Sequence, residues 1–283
     1  MQSQRSFPRV FSFELFPPKS DDGMDKLQAA VRRLQAVAPR FFSVTYGAGG
    51  STRDRTFATV DWLRSEGIDT APHLSCIGAS REEGRAILQR YLDAGIRRVV
   101  ALRGDLPSGV GLGGLGELRY ASELVAFMRT EFGAQFHIEV AAYPEFHPQA
   151  PTAQKDLENF RRKVEAGANG AITQYFFNAD AYVRFVESCE RMGLSIPIVP
   201  GIMPITNYSQ LARFSDACGA EIPRWLRRRL EGFGDDRESI RALGTDVVTA
   251  LCARLLAEGA PGLHFYTMNQ AEPTLAVWKN LGH

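Results

Sequence analysis

The first apolar run of the chain, FSFELFPPKS over residues 11–20, holds a glutamate among three phenylalanines and a leucine. Glu14 is either a solvated residue at the end of a strand or a carboxylate kept for chemistry. A carboxyl group beside apolar rings is typical of a general acid, which gives a proton to a departing group. A second acid, Asp105 in ALRGDLP, also follows an apolar run, and it is either a site residue or a turn cap before Pro107.

Most of the other apolar runs of the chain also end in functional side chains. These carry hydroxyl, imidazole, amide, guanidinium and carboxylate groups, which bind cofactors and substrates through hydrogen bonds. Solvation alone does not require so many of them at the ends of apolar runs. They are Thr45, His73, Arg103, Tyr143, Glu145, His147, Gln174, Tyr266, Thr267 and Asn269.

Eight apolar runs predict the strands that position these groups, and they alternate with amphipathic segments. Repeated β-α units of this number predict an α/β fold, a closed (βα)8 TIM barrel, because each unit adds one parallel strand and one covering helix. The longer gap before the last run predicts extra helices between strands seven and eight, including PRWLRRRLEGF. An open doubly wound sheet is the alternative, and the regular interval favours the barrel. The predicted strands span residues 10–16, 41–47, 69–76, 96–104, 136–143, 169–176, 195–202 and 262–267.

The helical segments show the three-four spacing of core-facing helices, as in MDKLQAAVRRLQAVA. Ser80 and Thr152 are predicted caps at the starts of two others, which end at Gly95 and Gly167. No Ser/Gly-rich linker divides the chain, so we expect a single domain over residues 1–283.

Alternation along the first strand predicts which way Glu14 points. Ser12 and Glu14 share one face of the strand, and Phe13 and Leu15 share the other. The apolar face suits the helix layer, so Glu14 is expected to point into the barrel mouth. The active site of a βα barrel lies at the carboxyl ends of its strands, where Glu14 would stand.

Composition excludes several other classes of protein. The chain has 283 residues, 45% hydrophobic and 23% charged, with a formal net charge of +1, which favours neither nucleic acid nor an acidic membrane as a partner. Its four cysteines lack zinc-ligand spacing, so we expect reduced thiols and no metal. The start, MQSQRSFPRV, has no apolar signal core, and no apolar stretch is long enough to span a bilayer. A cytoplasmic protein is expected.

Two motifs are misleading. GLGGLG, Gly111–Gly116, matches the dinucleotide-binding pattern but does not open a helix directly after a strand, so it is either a lid loop beside Asp105 or a plain loop. WLRRRL, Trp225–Leu230, carries three arginines but has no RNA-binding motif beside it, which favours a solvated helix face.

Together the motifs of the chain resemble those of the bacterial type of methylenetetrahydrofolate reductase, in the order of that family from about residue 10 to about residue 270. The resemblance implies a βα barrel that binds FAD, in agreement with the pattern. The motifs are FSFELFPPK, FFSVTYGAGGSTRDRT, APHLSCIG, ALRGDLP, AAYPEFHP, KVEAGANGAITQYFF, PGIMPITN and LHFYTMN.

The resemblance implies a ping-pong reaction that feeds methionine synthesis. NADH reduces FAD and leaves, and 5,10-methylenetetrahydrofolate then takes the hydride to give 5-methyltetrahydrofolate. By resemblance Glu14 is the acid that protonates N10 of the folate so that its five-membered ring opens to an iminium. Asp105 matches a carboxylate near flavin and pterin, which would stabilise the iminium and tune the flavin.

The resemblance also carries over binding positions. Arg162 and Lys163 would meet the diphosphate of FAD, although on pattern alone they form a solvated helix face. Phe214 would stack on either substrate, and its alternative is a core residue. The implied FAD positions are Thr45, Tyr46, Ala48, His73, Arg103, Gly104, Asp105, Tyr143, His147, Asp156, Asn159, Arg162 and Lys163, and the folate positions are Gln174, Gln210, Phe214 and Gln270.

The chain departs from the family at Gln270, where an arginine that contacts folate is common. An amide carries no charge, so the charge-assisted contact with folate is expected to be absent, which would alter folate affinity or polyglutamate preference but not hydride transfer. The resemblance leaves NADH against NADPH open and implies a homodimer or homotetramer. The chain ends at His283 without the regulatory extension of the eukaryotic enzymes, so no control by S-adenosylmethionine is expected.

Two other functions stay open. One is a related flavin-barrel amine oxidoreductase, such as a proline dehydrogenase, and the other is a non-catalytic barrel that binds flavin or folate. The combination of Glu14, Asp105 and Gln174 favours the folate reductase over both.

Overall fold

A computed structural model describes residues 1–46, 53–104 and 116–282 of the chain. The described part contains nine strand segments and ten α-helices, preceded by a short 3₁₀ turn at Ser3–Ser6. The strands are β1 Val10–Leu15, β2 Phe41–Val44, β3 Thr70–Ser75, β4 Arg98–Leu102, β5 His137–Ala142, β6 Gly170–Thr173, β7 Ile198–Val199, β8 Gly201–Ile202 and β9 Gly262–Tyr266.

All strand pairs are parallel, in the order β7-β6-β5-β4-β3-β2-β1-β9-β8. The two end segments, β7 and β8, are consecutive in the chain and are separated only by Pro200. Proline has no backbone N–H and interrupts a strand, so one predicted strand splits in two. Its first half pairs with β6 and its second half with β9, which closes the barrel. The predicted TIM-barrel class and its eight strand positions are confirmed.

Helices cover the outside of the barrel. The predicted caps are present: Ser80 forms a capping box with Glu83, and the Thr152 hydroxyl accepts a hydrogen bond from the Lys155 amide. Three helices, α7 to α9, lie between β8 and β9, as the long gap predicted. The helices are α1 Asp21–Gln35, α2 Arg53–Ser65, α3 Arg81–Asp93, α4 Ala121–Phe132, α5 Ala153–Glu165, α6 Ala179–Arg191, α7 Tyr208–Cys218, α8 Arg224–Gly232, α9 Arg237–Glu258 and α10 Ala271–Asn280.

The strands separate two apolar regions. Phe13 and Leu15 face the helices and belong to the large cluster between barrel and helix layer. Inside the barrel, a small second cluster is formed by Phe41, Ala71, Val100 and Ile172. Polar side chains that follow this inner cluster along the strands, such as Glu14, lie towards the carboxyl ends of the strands, which form the mouth of a βα barrel.

Among the described residues, no helix is both long enough and apolar enough to cross a membrane.

The contact between β1 and β9 is close enough to require a glycine. Gly262 has φ of 121°, and a Cβ there would lie 1.7 Å from the Val10 carbonyl oxygen. We expect Gly262→Ala to lower the free energy of unfolding by at least about 3 kcal/mol, because β1 and β9 must separate locally to admit the added methyl group. Thermal or urea denaturation measures this loss.

Gly67→Ala is the matched control. Gly67 also has a positive φ, 73°, but no atom lies within 4 Å of its Cβ position. Only the backbone cost of about 1 kcal/mol is then expected. Equal losses in the two variants would contradict the steric explanation.

Candidate active site

Glu14 lies near the carboxyl end of β1 and points into the barrel mouth, as alternation predicted. Its Oε2 lies 3.4 Å from Nε2 of His73 on β3 and 3.7 Å from Nε2 of His264 on β9. The side chain is 19% exposed, so the carboxylate reaches the solvent edge while it contacts the buried rings. A carboxyl group that contacts imidazoles on one side and open space on the other can exchange a proton with a bound molecule.

The two histidines lie almost wholly inside the barrel. His73 is 7% exposed and His264 is 0% exposed, and neither Nε2 has a hydrogen-bond partner within ordinary distance. Burial lowers the pKa of His73, and the Glu14 charge only partly offsets this effect. His73 is therefore neutral at physiological pH.

Sequence reasoning missed His264 and Ser12. The Ser12 hydroxyl lies 2.7 Å from Nδ1 of His264, in a buried pair between β1 and β9. The missed signal is alternation in GLHFYT, which places His264 and Tyr266 on one face of their strand. His264 lies in the middle of β9, whereas the site residues predicted from the apolar runs lie at or near strand ends.

The end of β9 holds the backbone of Glu14 in place. The Thr267 hydroxyl donates to the Glu14 carbonyl oxygen at 2.6 Å. Two residues further along the chain, the Asn269 side chain donates to the Phe16 carbonyl at 2.8 Å and accepts from the Phe16 amide at 3.0 Å. Asn269 has φ of 56°, a left-handed conformation that asparagine tolerates better than most residues.

The Tyr266 hydroxyl donates to the Thr173 carbonyl at 2.7 Å. Burial, followed by the nearby Glu14 charge, raises the pKa of Tyr266 well above its usual value, so the phenol stays protonated. Gln174 follows Thr173 at the end of β6, and its side-chain Oε1 accepts a hydrogen bond from the Tyr175 backbone amide at 3.0 Å. Gln174 and Tyr143 line one small cleft at the rim.

The exits of β2 and β4 carry further predicted positions. The Thr45 amide donates to the Leu15 carbonyl at 2.9 Å, and burial raises the pKa of Tyr46. Gly104 has φ of 87°, and a Cβ there would meet the Ser75 hydroxyl at 1.9 Å, so only glycine fits. The Arg103 guanidinium donates to the Gln149 side chain. Ala48, Asp105 and residues 111–115 of GLGGLG lie outside the described residues.

The loop after β5 and helix α5 form a second group of predicted positions. Tyr143 and His147 contact edge to face at 4.6 Å, and Asp156 accepts a hydrogen bond from the His147 amide at 3.0 Å. Lys163 donates to the Ala141 carbonyl at 2.6 Å, and burial lowers its pKa to about 8. Arg162 is exposed beside it, and Asn159 is half-buried.

The remaining predicted positions lie on helices α7 and α10. The Gln210 backbone amide donates a hydrogen bond to Oδ1 of Asn207 at 2.8 Å. The Phe214 ring is half-buried against the core. The Arg213 guanidinium lies 5.5 Å from the Phe214 ring. Gln270 is exposed at the N-terminal cap of α10, and its side chain makes no capping bond.

A groove of about 850 Å³ lies elsewhere, between helices α8 and α9 and the start of α6. It lies outside the barrel, and Arg254 in its lining is already paired with Asp180 and Glu258. Because the groove brings no carboxylate next to an imidazole, the barrel mouth is the better candidate site. Over residues 1–46, 53–104 and 116–282, no cluster of His, Cys, Asp and Glu is placed to hold a metal ion.

The fold and the site define a class: a parallel βα barrel with a carboxylate set against buried imidazoles at the carboxyl ends of its strands. Comparison with known families narrows this class. The family model described as methylenetetrahydrofolate reductase matches residues 2–282. The chain belongs to the methylenetetrahydrofolate reductase family.

Curated relatives support the same assignment. The chain is 43% identical over 272 residues to the 5,10-methylenetetrahydrofolate reductase of Escherichia coli (strain K12), covering 96% of this chain and 90% of the relative. It is 39% identical over 285 residues to a probable methylenetetrahydrofolate reductase (NADH) of Oryza sativa subsp. japonica, covering 96% of this chain and 48% of the rice protein.

Solved structures confirm the fold. An uncharacterized protein from Clostridium thermocellum, described as binding two copies of 5-methyl-5,6,7,8-tetrahydrofolic acid, superposes with a TM-score of 0.70. The alignment covers 100% of this chain and 99% of the other, at 16% identity. This similarity establishes shared architecture.

The two hydrogen bonds between the Asn269 side chain and the Phe16 backbone are expected to stabilise the rim. Asn269→Gly removes both hydrogen bonds to Phe16 but keeps the backbone conformation, so a loss of about 1 kcal/mol in the free energy of unfolding is expected. Asn269→Ala adds the left-handed strain, about 1 kcal/mol more. Urea denaturation measures both, and an alanine variant as stable as the glycine variant would contradict the role of φ.

Proposed function

We propose that the protein reduces 5,10-methylenetetrahydrofolate to 5-methyltetrahydrofolate, with NAD(P)H as reductant and FAD as bound cofactor. Family membership supports the reaction, and the observation that carries it is Glu14 at the barrel mouth, 3.4 Å from a buried imidazole. NADH would bind first and leave before the folate enters the same site. FAD, when bound, supplies a ring that accepts a hydride from NADH and passes it to the methylene carbon.

The described rim offers groups that fit such a cofactor. His73 has a buried Nε2 without a hydrogen-bond partner, and Gly104 has a positive φ of 87° directly after β4, where the chain turns at the rim. Lys163 and Arg162 supply two cations at one end of α5 for a diphosphate. The proposed FAD-binding residues are Thr45, Tyr46, His73, Arg103, Gly104, Tyr143, His147, Asp156, Asn159, Arg162 and Lys163, together with Ala48 and Asp105, which are assigned from the sequence alone.

Glu14 would act on the folate itself. A proton on N10 makes that nitrogen a leaving group, so the ring opens and leaves a cationic iminium on N5. Asp105 would stabilise this cation. Gln174, Gln210 and Phe214 would orient the pterin, and Gln270 would contact the folate without the charge of the family's usual arginine.

Several finer points belong to the same proposal. NADH is the preferred reductant by family resemblance, and the name of the rice relative carries that cofactor. The protein would work as a cytoplasmic homodimer or homotetramer of single-domain chains and supply methyl groups for methionine synthesis. It would need no nucleic acid, membrane or metal partner.

An anaerobic titration tests the proposal directly. The flavin-loaded protein is expected to lose its visible absorbance on addition of NADH and to regain it on addition of 5,10-methylenetetrahydrofolate. Protein that takes up no FAD would overturn the cofactor assignment. Protein that is bleached by NADH but does not recover with folate would overturn the substrate assignment.

Replacing Glu14 should separate the two half-reactions. Glu14→Gln cannot donate a proton to N10, so we expect folate-driven reoxidation to fall by at least about a hundredfold. Reduction by NADH needs no such proton and should stay within about threefold of wild type. Stopped-flow absorbance follows both steps. Normal folate turnover in the variant would contradict the assignment of Glu14 as the proton donor.

Lys163 should make FAD binding pH-dependent. The pKa of Lys163 in the unliganded protein is lowered to about 8 by burial, and a bound diphosphate would raise it. The affinity for FAD is therefore highest below about pH 8 and falls above it, because Lys163 must then take up a proton when FAD binds. Lys163→Met should bind FAD roughly tenfold more weakly at about pH 7 and lose this pH dependence.

Fluorescence quenching of FAD, titrated with apoprotein from about pH 7 to about pH 9, measures this effect. Arg161→Met is the control, since Arg161 lies on the same helix but pairs with Glu165. The same pH dependence in wild type and Lys163→Met would contradict the assignment of Lys163.

A further inference from the structure

A buried hydrogen-bonded pair lies directly beneath Glu14. Ser12 and His264 are 1% and 0% exposed, and the Ser12 hydroxyl lies 2.7 Å from Nδ1 of His264. The opposite ring nitrogen, Nε2, lies 3.7 Å from Oε2 of Glu14 and has no other hydrogen-bond partner. The three side chains thus form a row that runs from the barrel interior to the proposed acid.

Hydrogen-bond satisfaction selects the tautomer of His264. A buried serine hydroxyl needs an acceptor for its proton, and the described contacts of Ser12 offer only Nδ1. If Ser12 donates to Nδ1, the ring proton must lie on Nε2. That proton then faces Glu14, and a small rotation of either side chain shortens 3.7 Å to a hydrogen bond.

The other groups that face Glu14 cannot take this role so simply. Among the described residues, the titratable groups are His73 from β3 and Tyr266 from β9. The Tyr266 hydroxyl already donates to the Thr173 carbonyl. His73 is one of the positions proposed above for FAD, whereas His264 has no surface on the mouth at all.

We infer that His264, oriented by Ser12, is a positioning residue that donates a hydrogen bond from Nε2 to the Glu14 carboxylate. It stabilises the anion that remains when the Glu14 proton has moved to N10 of the folate. This inference rests on the proposed function.

The proton balance of this step is simple. The O–H bond of Glu14 breaks and an N10–H bond forms, and the C–N10 bond breaks with its electrons left on N10. The His264 proton stays on Nε2 throughout. Solvent returns a proton to Glu14 after the product leaves, in agreement with the one proton that the overall reduction consumes.

The test is the pH profile of the folate half-reaction, measured on the flavin-loaded protein by stopped-flow absorbance. His264→Phe removes the donor, so the acid form of Glu14 is favoured over the carboxylate. We expect the alkaline limb of the profile to move to higher pH and the plateau rate to fall roughly tenfold, the effect of one hydrogen bond to a charged group. The NADH half-reaction should not change.

Three further variants make the result specific. His264→Gln keeps an N–H donor and should restore the profile to within about threefold of wild type. Ser12→Ala no longer fixes the ring proton of His264 on Nε2. It should therefore move the alkaline limb of the pH profile in the same direction by a smaller amount. Ser43→Ala is the matched control, because Ser43 pairs with Glu14 in register and is equally buried, but its hydroxyl has no hydrogen-bond partner.

The outcomes separate this inference from the proposed function. A wild-type protein without folate-driven reoxidation would defeat the proposed function. A working wild type with an unshifted profile in His264→Phe would overturn the role of His264 alone. Equal shifts in Ser43→Ala and Ser12→Ala would assign the effect to packing and overturn it too. FAD content and melting temperature check that each variant is folded.

Discussion

The pairing of β1 with β9 is the constraint on which the rest of the site depends. This pairing sets Ser12 opposite His264 and Glu14 opposite Tyr266, so residues from the two ends of the chain meet inside one barrel. Thr267 and Asn269 extend the same contact past the end of the strands and hold the backbone around Glu14. Because Gly262 permits the close approach at the start of β9, the position of Glu14 depends on a residue far from it in sequence.

The two sides of Glu14 differ in polarity, and this difference suits proton transfer. Below it lie buried imidazoles above an apolar cluster, where unpaired polar atoms are costly and hydrogen-bond geometry is fixed. Above it lies the open rim with its hydroxyls, amides and cations, where substrates can bind and leave. A carboxyl group at this boundary can be held by the protein and still contact a folate nitrogen. The flavin-binding groups proposed on α5 then leave the barrel mouth free for the reacting rings.

Much of the fold and part of the site could be predicted from the sequence. Short apolar runs located the strands, and period-two alternation pointed Glu14 inward, since Phe13 and Leu15 required the helix layer. The split at Pro200 was missed because the apolar run continues through it, and only pairing with β6 and β9 reveals two segments. His264 and Ser12 were missed for a related reason: their contact depends on strand register between distant parts of the chain. Lys163 was assigned by resemblance, and its part-buried hydrogen bond to the Ala141 carbonyl could not be predicted from the helix pattern.

The most direct measurement is a crystal structure of the Glu14→Gln variant with FAD and 5,10-methylenetetrahydrofolate bound. The account predicts that the side chain of residue 14 lies within hydrogen-bond distance of folate N10, about 2.6–3.2 Å, with His264 Nε2 on its other side. The methylene carbon should then face the flavin. A folate bound with N10 away from residue 14, or a flavin bound elsewhere than at this barrel mouth, would contradict the central claim that Glu14 is the proton donor.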